Sequence, residues 1–123
     1  MSLQSTIEAL AAEGGNADRE RARAAFDELK GALENGTVRS AAPDPSSPTG
    51  WRVNTWVKQG ILLGFRFGDL VDMSAGLPFS DKDTQSVQRM HVDRGVRVVP
   101  GGSAIRGGAY VARGVICIPP MYI

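Results

Sequence analysis

The closing stretch VVPGGSAIRGGAYVARGVICIPPMYI, Val98 to Ile123, places apolar side chains at Val99, Ile105, Val111, Cys117 and Ile123, six residues apart without exception. Helices repeat near 3.6 residues and strands near 2, so a strict six fits neither as a single element. It fits a parallel β-helix of hexapeptide repeats, in which each hexad is a short strand plus a turn and one aliphatic side chain per hexad points inward. Ser103, Ala109, Val115 and Met121 follow four residues behind the first four inward positions, and Gly101, Gly102, Gly107, Gly108, Gly114, Pro119 and Pro120 fall between them. Turns are needed at those places, and Gly and Pro supply them. In the left-handed form three hexads close one triangular coil, so residues 99–123 amount to fewer than one and a half coils. Solenoids bury a continuous core only with about three or more stacked repeats. The expectation is therefore a β-helix that continues past Ile123 or is completed by another chain, because an open coil edge templates further strand pairing.

Upstream of this tail the pattern predicts an α+β domain over residues 1–95, with helices and a β-hairpin, leading into the first coils of a left-handed parallel β-helix over 96–123. Ser5 and Glu8 have capping-box spacing for a short helix that Gly14-Gly15 stops. Asn16 or Asp18 caps a second helix, in which Ala22, Ala25, Phe26, Leu29 and Leu33 form one stripe. Arg19, Glu20, Arg23, Asp27 and Lys30 are left to face water, and Asn35-Gly36 ends the helix. Val38 and Val53 flank a segment with three prolines and Gly50, which reads as strand, turn and strand. Asn54 or Thr55 caps WVKQGILLGFRFG, apolar in nearly every direction and so packed on several sides or in a subunit interface. Trp51 and Trp56 are expected as core or interface anchors. DLVDM is a short strand, and Ser74 to Gly95 a long surface loop.

Residues 1–50 hold eight acids and five bases, whereas residues 51–123 hold five acids and nine bases. Between Arg89 and Arg113 five arginines face one acid, Asp93. Such a field suits a small anionic ligand. With no long basic face or aromatic platform beside it, it does not point to nucleic acid. The N-terminus lacks a basic region followed by an apolar run, and no stretch approaches eighteen apolar residues, so neither a signal peptide nor a membrane partner is expected. The one cysteine, Cys117, cannot pair within the chain, which agrees with a reducing, cytoplasmic compartment.

From Asp18 onward most of the chain resembles the N-terminal portion of the tetrahydrodipicolinate N-succinyltransferases. LENGTVRSAA followed by GWRVNTWVKQGILLGFRFGD resembles that family's helix, hairpin and buried helix, and FSDK its aromatic-Asp-Lys segment. The most specific block is GVRVVP, then RGGAYVARG, then PPMYI, similar to the family's entry into its β-helix. The resemblance implies a homotrimeric, cytoplasmic acyltransferase that moves a succinyl group from succinyl-CoA to a cyclic dicarboxylate in diaminopimelate and lysine biosynthesis. It implies a substrate-binding role for Arg97, in GVRVVP, weighed against a surface pairing with Asp93. Arg94, Arg106 and Arg113 are secondary candidates, weighed against solvated or interface roles. The family's catalytic aspartate and glutamate match no position in this sequence. No residue here is assigned a catalytic, cofactor-binding or metal role, succinyl-CoA enters only as cosubstrate, and the 123 residues alone are expected to be inactive.

Other features carry less. GGSAIRGG lacks the Gly-Lys-Ser/Thr ending of a phosphate loop, so hexad turns account for it. His91, the single histidine, cannot assemble a three-histidine zinc site. Cys117 at an inward position acts as a small hydrophobe. Two alternatives stay open: a non-catalytic oligomerisation module, and a hexapeptide-repeat acyltransferase with a different acceptor.

Overall fold

Ser2, rather than Ser5, opens the first helix. In the computed structural model, which describes residues 1–72 and 79–123, the Ser2 side chain accepts from the Ser5 N–H and α1 spans Leu3–Glu13. Ser5 lies inside the first turn, and Gly14 caps the C-terminal end. The serine one turn upstream satisfies the free N–H groups with an extended backbone, and that starts the helix earlier than the capping-box spacing implied. Helix α2, Arg19–Glu34, is capped by Asp18 accepting from the Arg21 N–H, and ends at Asn35. Helix α3 spans Thr55–Phe67. Asn54 precedes it without capping it: its side-chain oxygen accepts from Arg52 Nε at 3.3 Å, and its amide donates to the Arg39 carbonyl at 2.7 Å.

The three helices bury Ile7, Leu10, Ala22, Ala25, Leu29, Val57, Leu63 and Phe67 against one another, with Leu33, Val38 and Trp56 at the margin. Contact between α2 and α3 depends on Gly64, where an added Cβ would lie 2.6 Å from the Phe26 ring. The bare backbone there also leaves the Gly64 carbonyl free to accept from Thr84 Oγ1 at 2.7 Å. Two small antiparallel pairs flank the helices: β1 (Ala41–Pro43) with β2 (Trp51–Val53), and β3 (Leu70–Asp72) with β4 (Ser80–Lys82). The hairpin's first strand begins beyond Val38, which instead packs on the helical core. Trp51 is 56 % exposed, so only Trp56 serves the core. Within the expected loop over 74–95 lie β4 and a 3-10 turn at Val92–Arg94, while Met73 of DLVDM and residues 74–78 lie outside the described residues.

Two α2 cations expected in water are docked. Arg23 grips Asp83 with two hydrogen bonds, of 2.8 and 3.1 Å, and donates to the Phe67 carbonyl at 2.7 Å. Lys30 lies over the Phe26 ring and reaches the Thr84 carbonyl. Periodicity marks a polar face correctly, but it does not register that the segment 82–84 crosses this face and offers it acceptors.

The C-terminal residues run back parallel to themselves. Strand β5 (Arg97–Val98) pairs with β6 (Ile116–Cys117), nineteen residues on, and Ala104 bridges to Tyr122, eighteen residues on. Inside this lap lie Val96, Ile105, Val111 and Cys117, with Ala109, Met121 and Ile123 against them. Val99 is partly exposed and outside this cluster, and Val96 with Met90 fills that end of the interior. The lap is fastened to the rest by Gly107 N–H to the Ser86 carbonyl (2.8 Å), Gly108 N–H to Glu34 Oε1 (3.0 Å) and Arg39 stacked 3.9 Å from the Tyr110 ring centre. No helix among the described residues is long and apolar enough to cross a membrane.

Gly64→Ala should lower unfolding free energy by about 1–3 kcal/mol, since the aromatic ring must move to admit a methyl group. Urea midpoints measure this, and an unchanged midpoint contradicts the close approach. The Asp83 carboxyl is held down at about 2 by the Arg23 hydrogen bonds first and the Asp69 N–H second, against an ordinary 3.8. Because the folded-state value is depressed, the stabilisation is present above pH ~4 and is lost as pH falls toward ~2. Thermal midpoints followed through that window should fall less steeply in Asp83→Asn than in the parent, and parallel curves would contradict the pairing.

Candidate functional site

Arg97 stands on a fixed backbone with a free side chain. Upstream, Gly95 takes the left-handed conformation (φ 66°) that turns the chain out of the Val92–Arg94 turn, and its carbonyl accepts from Gly114 N–H at 2.8 Å. Downstream, Arg97 N–H donates to the Val115 carbonyl and Val99 N–H to the Cys117 carbonyl, each at 3.0 Å. The guanidinium is exposed and has no hydrogen bond or ion pair among the described residues. It borders a surface hollow of about 530 Å³ lined by Met90, Val92, Val96, Val98 and Pro100.

The competing pairing with Asp93 does not form. Separately, the Asp93 main-chain carbonyl accepts from both Nη1 and Nη2 of Arg113, each at 3.2 Å. A guanidinium free to fork, beside apolar walls, can take a carboxylate bidentately. Among the described residues the hollow's lining includes no carboxylate, imidazole, hydroxyl or thiol, so these groups can bind and orient an anion without themselves transferring a proton.

The five arginines of the basic segment therefore divide. Arg89, Arg94 and Arg97 have no side-chain partner among the described residues. Arg106 is tied to Asp81 at 3.2 Å and lies 5.1 Å from the Phe65 ring centre. Arg113 is tied to the turn before Arg97. Composition alone could not separate these roles. A signal for Arg113 was present in the spacing, since it lies eighteen residues after Gly95, the same separation as the bridged pair Ala104 and Tyr122.

A second cleft, of about 420 Å³, lies between Phe79–Val87 and the lap residues Gly102–Arg106, Met121 and Tyr122. Gln85 and Arg106 line it, and Gln85 Nε2 and Arg106 Nε are buried without a hydrogen-bond partner among the described residues. His91 is exposed at the start of the 3-10 turn without a side-chain hydrogen bond among the described residues, and Cys117 is fully buried. No three His, Cys, Asp or Glu side chains come together among the described residues.

Residues 2–67 match the family model described as tetrahydrodipicolinate N-succinyltransferase N-terminal. Among similar proteins, a 2,3,4,5-tetrahydropyridine-2,6-dicarboxylate N-succinyltransferase of Leptothrix cholodnii is 38 % identical over 126 residues, covering 95 % of this chain and 45 % of the relative. Proteins of the same name from Psychrobacter (37 % identical) and Xylella fastidiosa (39 % identical) each cover 71 % of this chain, and 33 % and 32 % of themselves. The chain thus spans less than half the length of these curated relatives. The match over more than half of its residues places it: the chain belongs to the tetrahydrodipicolinate N-succinyltransferase family, residues 2–67 matching the family's N-terminal model.

Proposed function

We propose that this chain is the N-terminal portion of an enzyme that transfers a succinyl group from succinyl-CoA to tetrahydrodipicolinate, in the diaminopimelate and lysine pathway. In this reading residues 1–95 form an α+β domain. Residues 96–123 begin a left-handed parallel β-helix, and the active enzyme is a cytoplasmic homotrimer. The names of the relatives support the reaction. The parallel return after eighteen or nineteen residues, close to three hexads, supports the β-helix. Exposed apolar residues on the outside of the lap, Ile116 and Ile118 with Tyr122, support contact with neighbouring copies.

The reaction begins with hydration and opening of the cyclic imine to an amine. The amine nitrogen attacks the thioester carbonyl carbon, a C–N bond forms, the C–S bond breaks, and CoA leaves as thiolate while a base takes the amine proton. Orientation of the dicarboxylate and stabilisation of the oxyanion lower the barrier. Arg97 is the group this chain contributes: its unpaired fork on a hydrogen-bonded strand is the single observation that carries the reading. The family's catalytic aspartate and glutamate match no position in this sequence, and in this reading 1–123 alone are inactive.

Arg97→Ala in the full-length enzyme should cost about 1.5–3 kcal/mol in acceptor kcat/KM, the scale of a charge-assisted hydrogen bond. The KM for succinyl-CoA should stay unchanged. Steady-state thiol release measures both, and unchanged acceptor kinetics would remove Arg97 from the site.

A further inference from the structure

The geometry points to Arg113 as the residue that positions Arg97 for its ligand, an inference that rests on the reading of Arg97 just given. The last carbonyls of a helical turn have no partner within it, and here the turn Val92–Arg94 is one turn long. Arg113 supplies what the turn lacks, with two N–H groups converging on the Asp93 carbonyl oxygen at 3.2 Å. Its side chain also lies flat on Gly95, where an added Cβ would meet Nη1 and, at 2.8 Å, the side-chain Cγ. Gly95 is therefore required twice, for its positive φ and for the room it leaves the guanidinium.

The next two residues along from Arg113 complete the clamp. Gly114 N–H donates to the Gly95 carbonyl at 2.8 Å, and the Val115 carbonyl accepts from Arg97 N–H at 3.0 Å. Three consecutive residues of the second pass, Arg113 to Val115, thus hold three points on the first pass, Asp93, Gly95 and Arg97, the last of them the residue whose side chain is free. Releasing the first point lets the turn pivot and moves the Arg97 Cα, while the side chain that meets the ligand stays chemically intact. A displacement of about 1 Å at a binding group can cost up to 10²-fold in rate.

The test is a double-mutant cycle in the full-length enzyme, reading the acceptor KM with thermal midpoints as a folding control. Arg113→Ala should raise acceptor KM roughly five- to twenty-fold without moving the KM for succinyl-CoA. Arg97→Ala/Arg113→Ala should be no worse than Arg97→Ala, because a positioning residue has nothing left to position. Arg113→Lys keeps the charge and the stem on Gly95 but not the two-pronged grip. It should remain impaired, and it replaces the alanine variant in the cycle if that variant does not fold. Wild-type acceptor KM in Arg113→Lys, or effects of the two sites that multiply, overturns the inference while leaving the reading of Arg97 in place. Wild-type acceptor KM in Arg97→Ala removes that reading, and this inference with it.

Discussion

The return of the chain onto itself governs what the C-terminal residues can do. Parallel pairing requires a long connection between the strands, and here residues 99–115 supply it by bending around a shared apolar interior instead of by crossing over a helix. Once the amides of Arg97 and Val99 are bound to the carbonyls of Val115 and Cys117, alternate side chains are committed. Cys117 goes in, Ile116 and Ile118 go out, and Arg97 stands exposed beside Ile116. The unpaired guanidinium follows from that commitment, and so does the grip of Arg113 on the preceding turn.

The helical part fixes where the lap sits. Glu34, at the end of α2, receives the Gly108 N–H, and Arg39 covers Tyr110. Asp81, next to β4's last residue, holds Arg106. Asp83 in turn joins β4's exit to α2 through Arg23, so the segment 81–84 is anchored on both sides. A chain of contacts therefore runs from the three-helix core to the first corner of the lap. Substitutions at Gly64 or Asp83 act on this frame, and those at Arg97 or Arg113 act on what it carries.

Much of this was legible in the residues. The six-residue spacing located the inward positions Ile105, Val111 and Cys117, and the α2 stripe Ala22, Ala25, Phe26 and Leu29 is buried as its period required. Patterns that depend on one element alone were readable because solvent and core impose them locally. What escaped depends on which segment crosses which. Arg23 and Lys30 have the spacing of a solvated face, yet the 82–84 segment lies over them. Val96 took an interior place that a strict six denies it, and Ser2 displaced Ser5 as the cap because both have the chemistry and only Ser2 has the extended backbone. Arg97 was singled out by the family resemblance rather than by any local pattern, and that its side chain is unpaired among the described residues is visible only in the folded chain.

Amide hydrogen exchange, resolved to single residues in the full-length protein, tests the central claim most directly. If the chain pairs with itself in parallel one lap on, the N–H groups of Arg97, Val99 and Gly114 exchange slowly and as one cooperative unit, despite sitting near a surface. Exchange of these three at the rate of an unfolded peptide, beside a protected α2, would contradict the self-paired lap and the site built on it.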